Sequence, residues 1–275
     1  MPGTSPIKGR FHLAWLLGFF LLLTTTVLIS ASGETVEGNK IPLWTKSLPS
    51  ASCPWSSSDT YCHRSSPVLA DITGDGKLEI VLATNRGHVQ AYKYNGKLLW
   101  SIDIAPAFGM ARNKQKVASS PAVADIDADG RMEIVIGAGT VKREICTQGG
   151  VIALEHDGSV KKGWPFLTKD NDIPPAGCRD SVFATPALGD LDKDGDLEIV
   201  FGSFDKRIYA LDHRGKILPG FPPDSYHFQR FGWPNIQGRL ADTIWSSAAL
   251  ADLDGDGYLD IVTGADEGNY DGRFE

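Results

Sequence analysis

Four stretches of this chain set carboxylates at alternate positions: DITGDGKLE at 71–79, DIDADGRME at 125–133, DLDKDGDLE at 190–198 and DLDGDGYLD at 252–260. The shared pattern is D-x-D-x-D-G-x-x-E. Acidic side chains at positions 1, 3 and 5 converge on one hard cation when the backbone wraps, and calcium takes several oxygens from carboxylates and carbonyls. A glycine at position 6 (Gly76, Gly130, Gly195, Gly257) permits the sharp turn. The ligand sets read from this pattern are Asp71, Thr73, Asp75 and Glu79; Asp125, Asp127, Asp129 and Glu133; Asp190, Asp192, Asp194 and Glu198; and Asp252, Asp254, Asp256 and Asp260. Position 7 (Lys77, Arg131, Asp196, Tyr258) would offer its backbone carbonyl, which leaves its side chain free to vary. Up to four Ca2+ sites are expected, the first the weakest because Thr73 replaces an acid. A single copy reads equally well as an Asp/Gly turn without metal; four copies in register favour the ion.

The loops resemble an EF-hand only in part. That loop runs to a bidentate Glu at position 12 and sits between helices. Here position 12 is Leu82, Ile136, Phe201 or Thr263, and each loop enters a β-rich run: EIVLAT, EIVIGAG, EIVFGS or DIVTGA. Nine-residue loops joining two strands are expected.

The loops begin at 71, 125, 190 and 252, so spacings of 54, 65 and 62 residues set a repeat. Each unit has a first strand rich in small residues (HRSSPVLAD, VASSPAVAD, VFATPALGD, IWSSAALAD) that ends on the first acid. The loop and a second strand follow. In the first three units a third strand comes next (GHVQAYKY, GGVIALEH, KRIYALDH), then a polar turn (YNGK, HDGS, HRGK) and a fourth strand carrying Trp100, Trp164 or Phe221. Repeated four-stranded antiparallel units without a helical stretch predict an all-β chain of β-propeller blades. The aromatics are expected to pack between blades. Residues 39–48 (NKIPLWTKSL) echo the fourth strand at 95–104, and the fourth unit stops short of its third strand. The repeats over 41–275 are therefore expected to be the amino-terminal part of a larger propeller.

The net charge of −7 is concentrated: the loops hold three acids in the first copy and four in each other one at positions 1, 3, 5 and 9. No basic run points to nucleic acid. Residues 1–32 carry Lys8 and Arg10, an apolar run at 11–29 and small residues Ser30, Ala31 and Ser32. That order suits a cleaved export signal, with membrane anchoring through residues 11–29 as the alternative. Both readings place the remainder outside the cytoplasm. Cys53, Cys62, Cys146 and Cys178 match no zinc spacing; disulfides 53–62 and 146–178 are the expected pairing there, and free thiols the alternative.

The loops and their flanking strands, with SSPAVADIDADGRMEIVIG the clearest run, resemble FG-GAP or VCBS repeats of bacterial surface proteins and, more distantly, of integrin α-subunits. The resemblance implies calcium at the matching positions named above. IGAG, FGSF and TGAD stand here in place of the integrin signatures, and GGVIALEHDG and KRIYALDHRG are similar to repeats of quinoprotein-type propellers. The function expected is an extracytoplasmic calcium-binding module for binding or adhesion, with an extracellular protein or glycan as ligand and no catalytic set assigned. One alternative is a propeller enzyme resembling polysaccharide lyases, for which His63, Arg64, Arg179, Asp180 and Trp245 precede first strands and could gather near the axis. The other is a structural spacer of a larger surface protein.

Overall fold

Each acidic loop ends where a β-branched run begins, so the chain reverses and the strand after the loop pairs back on the strand before it. The computed structural model describes residues 65–140, 147–170, 179–218 and 244–264, together with the backbone of two earlier strands, β1 (Thr26–Leu28) and β2 (Thr45–Ser47). These two pair antiparallel with each other. The cysteines, His63, Arg64 and Phe221 lie outside the described residues, as does the leader apart from β1. Among the described residues no helix is long and apolar enough to cross a membrane.

The first sheet runs β3 (Val68–Ala70), β4 (Glu79–Ala83), β5 (His88–Tyr92) and β6 (Leu98–Asp103) in chain order. The second repeats it with β7 (Ala122–Ala124), β8 (Glu133–Ala138), β9 (Gly150–Leu154) and β10 (Phe166–Leu167). The third comprises β11 (Ala187–Gly189), β12 (Glu198–Gly202) and β13 (Ile208–Leu211); the fourth comprises β14 (Ala249–Ala251) and β15 (Asp260–Val262). All neighbours pair antiparallel. In every sheet the last loop acid faces the residue before the first one: Ala70 with Glu79, Ala124 with Glu133, Gly189 with Glu198 and Ala251 with Asp260. The four loops thus share one register.

The protein is an all-β propeller, and its packing follows from period-two alternation with both faces covered. Ile134 and Ile136 of β8 point to the first sheet, against Val81 and Val89, while Val135 between them points to the third sheet with Ile199 and Phe201. Val200 of β12 turns the other way, to Ile244. At the axis β3, β7, β11 and β14 abut in succession. Small residues are required there: a Cβ on Gly189 would come 2.8 Å from Leu250 Cδ1 and 2.9 Å from Leu259 Cδ1. Just before these inner strands, hydroxyls tie neighbouring blades. Ser66 N–H donates to Ser120 Oγ (2.8 Å), Ser119 Oγ–H to Ala184 O (2.8 Å), and Thr185 N–H to Ser247 Oγ (2.9 Å).

Two expectations change in detail. The polar turns close as three-residue loops with only the glycine left-handed, as in Lys93 N–H to Lys97 O at 2.8 Å around Gly96 (φ 81°), a type I turn with a bulge. The fourth strand of the second sheet is broken into a bridge at Val160 and the two-residue β10, because Pro165 offers no amide to a ladder. Two of the three expected interblade aromatics are described and reach the next blade: Trp100 Nε1–H donates to His156 O and Trp164 Nε1–H to His213 O, both at 3.0 Å, so each indole clamps the turn of the next blade. Gly158 in that turn has φ +86°, and an added Cβ would meet the Trp100 ring at 2.8 Å. Trp164→Phe should cost about 1–3 kcal/mol by urea unfolding, from one lost hydrogen bond and lost ring volume. Gly158→Ala should destabilise as well, through backbone strain and overlap.

Candidate cation-binding loops

Each loop is folded by its own amides. Asp71 accepts from Gly74 N–H (2.8 Å) and Asp75 N–H (3.1 Å) on Oδ1 and from Gly76 N–H (2.7 Å) on Oδ2. Asp125 accepts from Asp129 and Gly130 N–H, and Asp252 from Gly255 and Gly257 N–H. The acid at position 5 accepts from the amide of position 7: Asp75 from Lys77, Asp129 from Arg131, Asp194 from Asp196 and Asp256 from Tyr258. These local bonds turn the carboxylates inward and explain the Asp and Gly at those positions.

The last acid is the first residue of the second strand. Glu133 Oε2 accepts from Ile126 N–H (2.9 Å), Glu198 Oε2 from Leu191 N–H (2.7 Å) and Asp260 Oδ2 from Leu253 N–H (2.9 Å). In the first loop the donor is instead Thr73 N–H, to Glu79 Oε2 at 3.2 Å. Glu79 and Glu133 are fully buried and Glu198 is 2% exposed, whereas Asp260 is exposed.

Three of the four loops gather carboxylates. Oxygens of Asp125, Asp127 and Glu133, of Asp190, Asp192 and Asp194, and of Asp252, Asp254 and Asp260 each lie within 4.8 Å of one another. Among the described residues the first loop forms no such group, in keeping with Thr73 at position 3. Buried Oδ1 of Asp127, Oδ1 of Asp190, Oε1 of Glu79 and Oε1 of Glu133 have no hydrogen-bond donor. Hard, crowded oxygens with unmet lone pairs are a donor set that fits calcium. Asp129, Asp256 and Glu198, ligand positions in the sequence pattern, lie outside these tightest groups.

The position 7 side chains make contacts of their own. Lys77 Nζ lies 4.0 Å from Asp75 Oδ2, and Asp196 Oδ2 lies 2.8 Å from His213 Nδ1. Lys193 of the third loop sits 3.8 Å above the Tyr258 ring of the fourth, so adjacent loops share one rim. Sequence reasoning missed Lys161. Its ammonium lies 2.7 Å from Asp127 Oδ2, 3.3 Å from Glu155 Oε1 and 3.6 Å from Glu133 Oε1. Burial opposes the charge on Lys161, but these three carboxylates raise its pKa above the ordinary value.

Of the residues considered for an enzyme, Trp245 stacks on Phe204 (5.1 Å, 26°), and Phe183 meets both edge-on, at 4.7 Å from Phe204 and 6.4 Å from Trp245. Arg179 and Asp180 are held through their backbones, Arg179 O accepting from Gly149 N–H and Asp180 N–H donating to Lys169 O. Phe183 and Trp245 precede first strands and Phe204 follows a second strand, so the aromatic trio lies at the end of the blades away from the acidic loops.

Fold and loops together define a β-propeller whose inner hairpins are closed by acidic loops. The chain carries FG-GAP repeats: residues 71–136 match the FG-GAP-like repeat and residues 244–274 the FG-GAP repeat. Among characterised proteins it is 26% identical over 151 residues to a lambda-carrageenase of Pseudoalteromonas carrageenovora, covering 55% of this chain and 13% of that protein. The chain thus spans only about an eighth of that relative's length. Similar solved structures include the V. cholerae biofilm matrix protein Bap1 (20% identity, TM-score 0.42, 73% of this chain and 28% of that one). A quinohemoprotein alcohol dehydrogenase of Pseudomonas putida is another (19% identity, TM-score 0.40, 68% and 30%).

Burial, opposed by the Ile126 amide and Lys161, pushes the Glu133 carboxyl up to about 7. Burial again, opposed by the Leu191 amide and aided by repulsion from Asp192, Asp194 and Asp190, pushes Glu198 up to about 6. Above the unfolded value and below these, the folded state holds protons that the unfolded chain has lost, so stability falls as pH rises through that window. With chelator present, the melting temperature should therefore drop between about pH 5 and about pH 8, by calorimetry. Added calcium should reverse the part of the drop that comes from the Glu198 loop, because it binds the deprotonated set.

Proposed function

We propose that this chain is an extracytoplasmic calcium-binding propeller that acts as a binding or adhesion module, with a protein or glycan as ligand. The observation that carries this reading is the division between the two ends of the blades. At one end the acidic loops close the inner hairpins around converging carboxylates. At the other, Phe183, Phe204 and Trp245 form a half-buried aromatic platform. Calcium at the loops replaces mutual carboxylate repulsion with a clamp on the inner strands, and so holds the far ends of those strands in place. Planar aromatic faces suit sugar rings and apolar protein side chains alike. The partial likeness to a lambda-carrageenase favours a glycan among these. The apolar run at 11–29 after Lys8 and Arg10 supports export, either as a signal or as an anchor.

A second reading, a propeller enzyme acting on polysaccharide, draws on the same relative. Release of unsaturated sugars from polysaccharide by the full-length protein would favour it.

Calcium binding to the folded state alone should stabilise by about 2.7 kcal/mol per site at roughly 100-fold excess over the dissociation constant. Chelation should lower the melting temperature and speed proteolysis, and Asp194→Asn should lose one site's share; unchanged stability after verified stripping would refute the clamp. On a glycan array, Trp245→Ala should lose binding that the wild-type protein shows, while keeping its calcium-dependent melting shift. Equal binding by both would remove the platform from the reading.

A further inference from the structure

The second loop differs from the third and fourth in what faces its carboxylates. Lys161 follows the turn glycine of its blade by three residues; the equivalent residues of the first and third blades are Leu99 and Leu218. The backbone places it as it places Leu218: Lys161 N–H donates to Ala153 O and Leu218 N–H to Ala210 O, both at 3.0 Å. Leu99 and Leu218 pack on apolar clusters. Lys161, only 7% exposed, instead turns its ammonium into the acidic loop of its own blade. It lies 2.7 Å from Asp127 Oδ2 and 3.6 Å from Glu133 Oε1, an oxygen with no hydrogen-bond donor. No lysine contacts the carboxylate groups of the third and fourth loops among the described residues in this way.

We propose that the Lys161 ammonium is the resident cation of the second loop, which holds the loop 125–133 closed without calcium, while the third and fourth loops take the ion. The inference rests on the calcium reading of the loops and refines it. One tethered positive charge among Asp127, Glu133 and Glu155 does the neutralising that a divalent ion does elsewhere. Calcium can enter that cluster only by displacing a buried ammonium or by accepting its repulsion at short range. The result is a ring of unlike clamps: one hairpin fixed at any calcium level, those of the third and fourth blades dependent on the ion.

Calorimetric titration of calcium into the metal-stripped full chain tests this. In the otherwise wild-type protein, Asp129→Asn should leave the number of bound ions unchanged, whereas Asp194→Asn and Asp256→Asn should each remove one. Lys161→Leu, which restores the residue of the other blades, should bind one ion more than wild type, and Asp129→Asn added to it should abolish the gain. Loss of an ion in Asp129→Asn alone, or an unchanged ion count in folded Lys161→Leu, overturns the inference. If Lys161→Leu does not fold, the Asp129→Asn comparison decides by itself. Absence of any calcium uptake, with Asp194→Asn and Asp256→Asn silent, overturns the calcium reading and this inference with it; loss of an ion in Asp129→Asn overturns this inference alone.

Discussion

A carboxylate at the first position of each second strand, buried in the first three blades, is the constraint around which the blades are arranged. Glu79, Glu133 and Glu198 have almost no contact with solvent, yet each receives a single backbone amide from its own loop. An ionised carboxylate in that setting costs several kcal/mol unless further positive charge or donors meet it. The loop is the means by which the chain brings those groups near. Its glycine and aspartates bend the backbone so that other oxygens, and whatever cation they gather, come to the buried acid. Blades solve the problem differently. The second supplies an ammonium, the third adds the repulsion of Asp190, Asp192 and Asp194 and so leaves the demand for a cation unmet by its own side chains, and the fourth uses the shorter, exposed Asp260.

Blade-to-blade packing depends on the same hairpins. A sheet that is apolar on both faces has no stable isolated form, so each blade requires its neighbours. The alternation along β8 and β12 sends adjacent residues into two different interfaces, which couples the register of one blade to those on both sides. Slippage by one residue would exchange the faces and carry the loop acid away from its amide. The indoles of Trp100 and Trp164 and the hydroxyls of Ser120 and Ser247 add directional bonds at the outer and inner edges of the blades. Polar links of this kind resist rotation in a way that apolar contact alone does not.

Much of this was legible in order along the chain. Position 6 glycines, the EIV runs and the turns at YNGK, HDGS and HRGK are local signals, and local signals survive without tertiary context. Trp100 and Trp164 were legible as interblade residues because they recur at one place in the unit. Their acceptors, His156 O and His213 O, were not, since any backbone carbonyl looks alike in sequence. The serines of SSP read as small residues and nothing more; their role as hydrogen-bond links appears only when inner strands converge. Trp245 read as a residue near the axis, and folding places it in a stack with Phe204, 41 residues earlier in the chain. Lys161 carries no local signal of its own, because its significance lies in departing from the leucine of the other blades.

What the amino-acid sequence determined by itself was the repeat: the period, the acidic loops, the strand order within a unit and hence a propeller, because each follows from spacing and side-chain type. What the tertiary structure decided was the state of each copy. Near-identical loops become a closed amide turn, an ammonium-filled cluster or an open group of carboxylates according to what burial and neighbouring segments bring within a few ångströms. Electrostatic energy at a buried carboxylate is set by such distances, and residues 34 positions apart, such as Asp127 and Lys161, acquire theirs only on folding.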